Sequence, residues 1–158
     1  MAMRLYQTEE DMIREERFLS KILKRFKCEA IQLPIEKVID RVLVRPFVDK
    51  LIAKPIKTIV AFAELKCRNV ESDRYPTTIL SEKKLQWVAH NFKNFGLYET
   101  AAEIPLMFFV RFKDKDKFVK VRPGGSYKRE YLKLAHRKDD PTSSEWVIHI
   151  PREDFKEF

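Results

Sequence analysis

The stretch that most restricts the fold is Ile56 to Cys67, "IKTIVAFAELKC". Period-two alternation puts Val60, Phe62, Glu64 and Lys66 on one face and Ile59, Ala61, Ala63 and Leu65 on the other. Both faces are apolar over most of its length, which is the mark of a central strand in a sheet covered on both sides. The two alanines leave room for a helix to pack closely on their face. Yet this core strand ends in an acid and a base two residues apart, Glu64 and Lys66, on one side.

The segments around it supply partners. Thr8 to Lys27 reads as a helix: Thr8 can cap it, Glu9, Glu10 and Asp11 suit the positive end of its dipole, and Lys24, Arg25 and Lys27 close it. Met12, Leu19, Leu23 and Phe26 form an apolar stripe, widened by Phe18 and Ile22. Glu15 falls among these apolar positions and Glu16 at their edge. A carboxylate facing a core needs a partner or a task; leaning to solvent or meeting an Arg would meet the first need. Lys37 to Arg45 reads as a strand, with Val38, Asp40, Val42 and Val44 on one face. "PFVDKLIAKP" then makes a long hairpin-type connection, with Pro46 and Pro55 as breakers.

Downstream, "RNVESDRYP" reads as a loop ended by Tyr75-Pro76. Ser81 looks like a helix cap with Lys84 three residues in, and the helix runs to about Asn91 or Asn94 before Gly96. Ile104 to Phe112 reads as a strand, paired with "KFVKV" across "KDKD". Pro123-Gly124-Gly125 reads as a turn, "YKREYLKLA" as helix or strand, and "EWVIHI" as the last strand. The tail "PREDFKEF" either docks or stays free. There are no internal repeats, and three glycines leave no Gly-rich phosphate loop.

At 158 residues the expectation is one domain. Apolar residues at 44% and charged residues at 35% place the chain among globular proteins rather than disordered ones. No apolar run approaches the roughly 20 residues that span a bilayer, so no membrane partner is expected. The start, "MAMRLYQTEEDMIREE", does not resemble a secretory signal. Cys28 and Cys67 are too few for a disulfide framework or a Cys-rich zinc site, and three scattered histidines make no metal pair. A reduced, cytoplasmic setting is expected, the host cytoplasm if the chain is phage-encoded. The net charge is +8, and Arg111 to Lys138 alone holds eleven Lys and Arg against three Asp and Glu. Such a concentration suits a polyanion partner, and equally a lysine-rich face kept for solubility.

The hairpin brings Asp40 and Glu64 near each other. Two carboxylates at the ends of adjacent strands repel unless a divalent cation sits between them. Mg²⁺ prefers one or two carboxylates with waters and phosphate oxygens, so the pair would suit an open site. The cation would activate water, and Lys66 would orient that water or offset developing charge.

Asp on one strand and Glu-x-Lys on the next, after a helix bearing an acid, resembles the PD-(D/E)xK nucleases of the restriction-endonuclease-like fold. "AELKCRN" and "YPTTILSEKK" are similar to stretches of small phage-type and metagenomic endonuclease-like proteins. The resemblance covers roughly Glu15 to Asn91. It implies an α/β fold with an αβββαβ core, a central mixed β-sheet flanked by helices, over about 9–112, and a basic C-terminal extension of the sheet over about 113–158. It implies an Mg²⁺- or Mn²⁺-dependent endonuclease acting on DNA without a covalent intermediate. Asp40 and Glu64 would be metal ligands and Lys66 the catalytic lysine. Glu15, or Glu16 in its place, would be the helix acid, Lys84 the basic residue of the later helix, and Ser81 a weaker substrate contact. Arg68 would meet a phosphate, or pair with Glu71 or Asp73. In the basic region Lys113, Lys115, Lys117, Lys120, Arg122, Lys128 and Arg129 would hold the nucleic-acid backbone. The chain departs from the pattern in having Ile39 where a proline often precedes the acid, and Asp49 is a second candidate ligand. A homodimer would be convenient for cutting two strands.

Two other readings compete: an inactive nucleic-acid-binding or interaction module on the same fold, and a basic structural or assembly protein. Cys67 reads as a small core residue on the Leu65 face rather than a nucleophile, since no His or Asn is placed to activate it. Trp87, Phe92 and Phe95 read as core before base-stacking groups.

Overall fold

Helix α1 spans Glu9–Phe26. Its start is fixed by a reciprocal cap: Thr8 Oγ1 accepts from the Asp11 N–H, and Asp11 Oδ2 accepts from the Thr8 N–H, each at 3.1 Å. That hydrogen bonding holds the Asp11 carboxyl below its ordinary pKa. The computed structural model describes residues 8–33, 39, 41–48, 51, 55–95, 104–122, 124–133 and 144–158, apart from the side chains of 47, 48, 55, 56 and 91–95.

Strands β1 (Glu29–Gln32), β2 (Arg41–Val48) and β3 (Pro55–Cys67) form an antiparallel meander. Strand β4 (Thr77–Ser81) and helix α2 (Glu82–Phe95) follow, and then β5 (Leu106–Arg111) lies parallel to β3. A parallel neighbour needs a crossover connection, which the β4–α2 segment provides. Strand β6 (Asp116–Val121) pairs antiparallel with β5, and the two-residue β9 (Lys156–Glu157) pairs with β6. The mixed sheet therefore runs β1-β2-β3-β5-β6-β9, with β3 inside it. Strand β4 joins β8 (Ser144–Pro151) and β7 (Lys128–Lys133) in a second sheet, ordered β4-β8-β7. The expected α/β architecture with a mixed, helix-flanked sheet is what the chain adopts.

Each face of the large sheet has its own core. On one, Phe18 and Ile22 of α1 pack against Leu43, Ala61, Ala63, Leu65 and Phe109, so the small alanines do admit a helix. On the other, Phe62, Leu106, Phe108 and Val110 meet Leu85 and Val88 of α2 and Leu80, Ile148 and Ile150 of the second sheet. Trp87 packs edge-on to Phe62 at 5.4 Å, a core position as anticipated.

Several expectations need correction. The register slips between Leu43 and Val44, which places a bulge at Val60. The extra residue reverses the alternation below it, so Ile59 joins the Phe62 core and Val60 the alanine core, opposite to simple period two. Pro46 does not break β2. Strand β1 covers β2 only as far as Val44, so Pro46 lies where one side is an edge and its missing N–H costs nothing. Of the expected Lys37–Arg45 strand, 37, 38 and 40 lie outside the described residues. Short, polar β1 and β4 were not anticipated. "YKREYLKLA" resolves to a strand, Lys128–Lys133, held by β8. The tail docks: Phe155 is buried against Phe108, and Phe158 stacks 6.0 Å from Phe18. Of the expected turn Pro123 lies outside the described residues, while Gly124 stands at φ +79°, a conformation that favours glycine, and the Gly125 N–H donates to Arg122 O at 3.1 Å. Among the described residues no helix is long and apolar enough to cross a membrane.

Candidate active site

Beyond the bulge, β3 carries Phe62, Glu64 and Lys66 toward the α2 side, and Arg68 follows just past its end. Parallel pairing sets Glu64 beside Phe108 and Lys66 beside Val110, so both charges rise out of the floor of a core. Glu64 is only 1% exposed. A buried carboxylate costs several kcal/mol unless compensated. Compensation comes from α2, whose Lys84 Nζ donates to Glu64 Oε2 at 2.9 Å. The other oxygen, Oε1, has no hydrogen-bond partner among the described residues.

Lys66 is half-buried and makes no hydrogen bond or ion pair among the described residues. Burial pushes its ammonium below the ordinary lysine pKa. Arg68 and Lys84 push the same way, while Glu64 and Glu145 oppose. Arg68 is likewise lowered by burial and has no ion pair among the described residues, with Glu71 and Asp73 included. Ser81, the last residue of β4, donates from Oγ to Glu145 Oε2 at 2.9 Å. One end of β3 thus gathers Glu64, Lys66, Arg68, Lys84, Ser81 and Glu145.

Glu15 is not in this group. Arg41 lies opposite Ala63, on the α1 side of the sheet, and its Nη1 donates to Glu15 Oε1 at 2.7 Å. The carboxylate that faces a core has an arginine partner on the face away from Glu64. Glu16 is exposed. Asp40 and Asp49 lie outside the described residues. Cys67 packs with Leu65 and Phe109, and burial raises its thiol pKa, which suits a core residue.

A family model described as "Phage putative PDDEXK endonuclease" matches residues 1–158. The chain belongs to this family. The assignment agrees with the Glu-x-Lys strand end and its place in a mixed sheet. No curated protein and no solved structure matches the chain.

Within this family member the basic residues divide. Arg129 is held by Glu82 at 2.6 Å, and Lys115 lies 3.6 Å from Glu157. Lys113, Lys117, Lys120, Arg122 and Lys128 make no ion pair among the described residues. Sequence reasoning missed Glu145. It arrives from β8, far along the chain from Glu64, and only the pairing of β4 with β8 brings it to Ser81. The one local signal was a charged residue opening the apolar run "EWVIHI".

Proposed function

We propose that the protein is a metal-dependent endonuclease that hydrolyses phosphodiester bonds of DNA. The observation that carries this reading is Glu64: a fully buried carboxylate with one oxygen on Lys84, the other without a hydrogen-bond partner among the described residues, and an unpaired Lys66 on the same strand face. An unfilled acceptor in a buried carboxylate suits a hard cation, which takes oxygen ligands. Among the described residues no group of three or more His, Cys, Asp or Glu side chains could hold a metal ion; a Mg²⁺ or Mn²⁺ ion here would share one or two carboxylates with water. Asp40 is the proposed second ligand. Its neighbour Arg41 aligns with Ala63, next to Glu64, whereas Val48, the neighbour of Asp49, aligns with Pro55. Pro55 is nine positions, roughly 30 Å of strand, from Glu64.

Glu64 with Asp40 would hold a divalent cation, which when bound would offset charge on the phosphate and make water a competent nucleophile at neutral pH. Lys66, its ammonium destabilised by burial and by its cationic neighbours, orients the attacking water and exchanges a proton with it more readily than an exposed lysine. Lys84 keeps Glu64 in place as a charged group. Glu15 acts as a positioning residue, fixing Arg41 and through it the start of β2. The whole chain, 1–158, is read as one nuclease unit, with the basic residues after Arg111 holding the nucleic-acid backbone.

The test is cleavage of plasmid, linear, single-stranded and branched DNA with Mg²⁺ or Mn²⁺. Wild type is expected to cut, while Glu64→Ala and Lys66→Ala bind without cutting. Equal activity in wild type and Glu64→Ala would end this reading. One observation favours the inactive binding module: Lys84 already balances Glu64 internally. That reading gains if both proteins bind DNA, neither cuts, and divalent metal leaves the melting temperature unchanged.

A further inference from the structure

Beside the Glu64–Lys66 end of β3 lies a cavity of about 490 Å³, within the size range of small-ligand pockets. Arg68 forms part of its wall, with Tyr75, Thr77, Phe112, His149 and Glu71. Its frame is fixed by polar contacts. The Ser72 N–H and hydroxyl both donate to Asp114, each at 2.7 Å. The Lys113 N–H donates to Val70 O at 3.0 Å, and Arg152 donates to Asp73 O and, from its backbone, to Pro76 O. The loop over Asn69 to Pro76 is therefore pinned at four places, and a ligand entering the cavity has little loop to order. His149 Nε2 lies 2.7 Å from Glu130 Oε2, and its Nδ1 lies 2.8 Å from Thr77 Oγ1. A carboxylate only accepts, so Nε2 carries the hydrogen and the wall bears an oriented imidazole and hydroxyl.

The cation in this wall is incomplete. Arg68 is half-buried and has no acid partner among the described residues; Glu71 lies outside ion-pair range. It follows Lys66 by two positions, just past the end of β3, and its N–H still bonds Arg111 O at 2.8 Å, so the extended course continues and the backbone separation is about 6.6 Å, on the scale of successive phosphates in an extended strand. A half-buried guanidinium without an ion pair among the described residues, in the wall of a cavity, calls for an anionic ligand. Aromatic rings in the same cavity call for a flat, apolar one. One chemistry supplies both at that spacing.

We propose that this cavity binds one nucleotide of the substrate strand, its phosphate on Arg68 and its unpaired base among Tyr75, Phe112 and the Thr77–His149 wall. The proposal rests on the nuclease reading for its placement beside the cut and goes beyond it. A base inside a paired, stacked duplex cannot enter a side cavity, so the protein selects strands that are single, frayed or flipped at this position.

The probes are the four deoxynucleoside 5′-monophosphates and inorganic phosphate, titrated by calorimetry into the full chain in wild type, Arg68→Met and Tyr75→Ala, with no metal added. Arg68→Met keeps most of the bulk, and Tyr75 is 57% exposed, so neither change should endanger folding. The monophosphates are expected to bind wild type. Arg68→Met should weaken binding about tenfold or more, because the phosphate then has no guanidinium to donate to it. Tyr75→Ala should weaken it about fivefold or more, because the base then has no ring to stack on. Phosphate alone should bind at least about tenfold more weakly than any monophosphate. Equal affinity for phosphate and monophosphate, or binding untouched by Arg68→Met, would overturn the proposal. If monophosphates fail to bind while wild type still cuts DNA with metal, the cavity proposal falls and the nuclease reading stands. If they bind as described while nothing is cut, the cavity proposal stands and the nuclease reading falls.

Discussion

Lys84 Nζ and Glu64 Oε2 stand 2.9 Å apart between α2 and β3, with the Glu64 side chain only 2% exposed. Removing one partner of such a pair costs more than the pair contributes, because the remaining charge is stranded in the core. Lys84→Met is therefore expected to lower unfolding free energy by about 3–5 kcal/mol, seen as a lower urea midpoint at unchanged slope. Adding Glu64→Leu to that variant should restore most of the stability. A Lys84→Met protein as stable as wild type would mean that Glu64 is compensated by something else.

Lys66 gives a pH-dependent prediction. Its folded pKa lies below the ordinary lysine value, chiefly through burial and next through Arg68. Below the folded pKa both states carry the proton, and the full cost of burying the charge is present. Between the folded and ordinary values the unfolded chain binds more protons, so this residue's contribution to stability rises with pH. Lys66→Met removes the cost. The variant should be more stable than wild type at pH 7, and its lead should shrink as pH rises toward the ordinary lysine range. It should also fail to cut DNA, so greater stability and absent activity appear together. A lead that stays constant from pH 7 to 10 would show that Lys66 titrates normally.

Much of this was legible because the strongest signals were local. The alternation of β3, its alanine face and the capped amphipathic α1 each depend on neighbours within a few residues. The bulge at Val60 was not legible, since a one-residue slip is decided by the partner strand and leaves no local mark. Strands β1 and β4 were missed because they are short and largely polar, and pairing rather than propensity makes them strands. Of the candidate site, Glu64, Lys66 and Lys84, which the structure brings together, were singled out from a strand end and a helix face. Glu145 was hidden by sequence distance. Glu15 was singled out correctly as an acid among apolar positions, but which sheet face its helix covers is a tertiary fact.

Glu15 and Arg41 test that distinction. Arg41 is 6% exposed, and its 2.7 Å contact with Glu15 anchors the first residue of β2. Glu15→Gln should cost about 1.5–3 kcal/mol, the range for a hydrogen bond to a charged group. If Glu15 positions β2 without touching substrate, the variant still cuts at saturating metal but needs severalfold more metal for half-maximal cleavage. Glu15→Asp, which keeps the charge, should recover part of that shift. A folded Glu15→Gln protein that is inactive at every metal concentration would make Glu15 a catalytic residue after all.

The unpaired basic residues predict how binding depends on salt. Each phosphate neutralised on duplex DNA contributes about 0.9 to the slope of log affinity against log salt. Lys113, Lys117, Lys120, Arg122 and Lys128 make no ion pair among the described residues, whereas Arg129 is committed to Glu82 at 2.6 Å. On a Glu64→Ala background with chelator, so that nothing is cut, replacing one of these cations, such as Lys120, by Ala should reduce the slope by about 0.9. Arg129→Ala should leave the slope nearly unchanged, because its counterion is already a carboxylate of the protein. If Arg129→Ala lowers the slope as much as Lys120→Ala does, DNA displaces Glu82 on binding. The backbone track then crosses the β7–α2 side of the molecule.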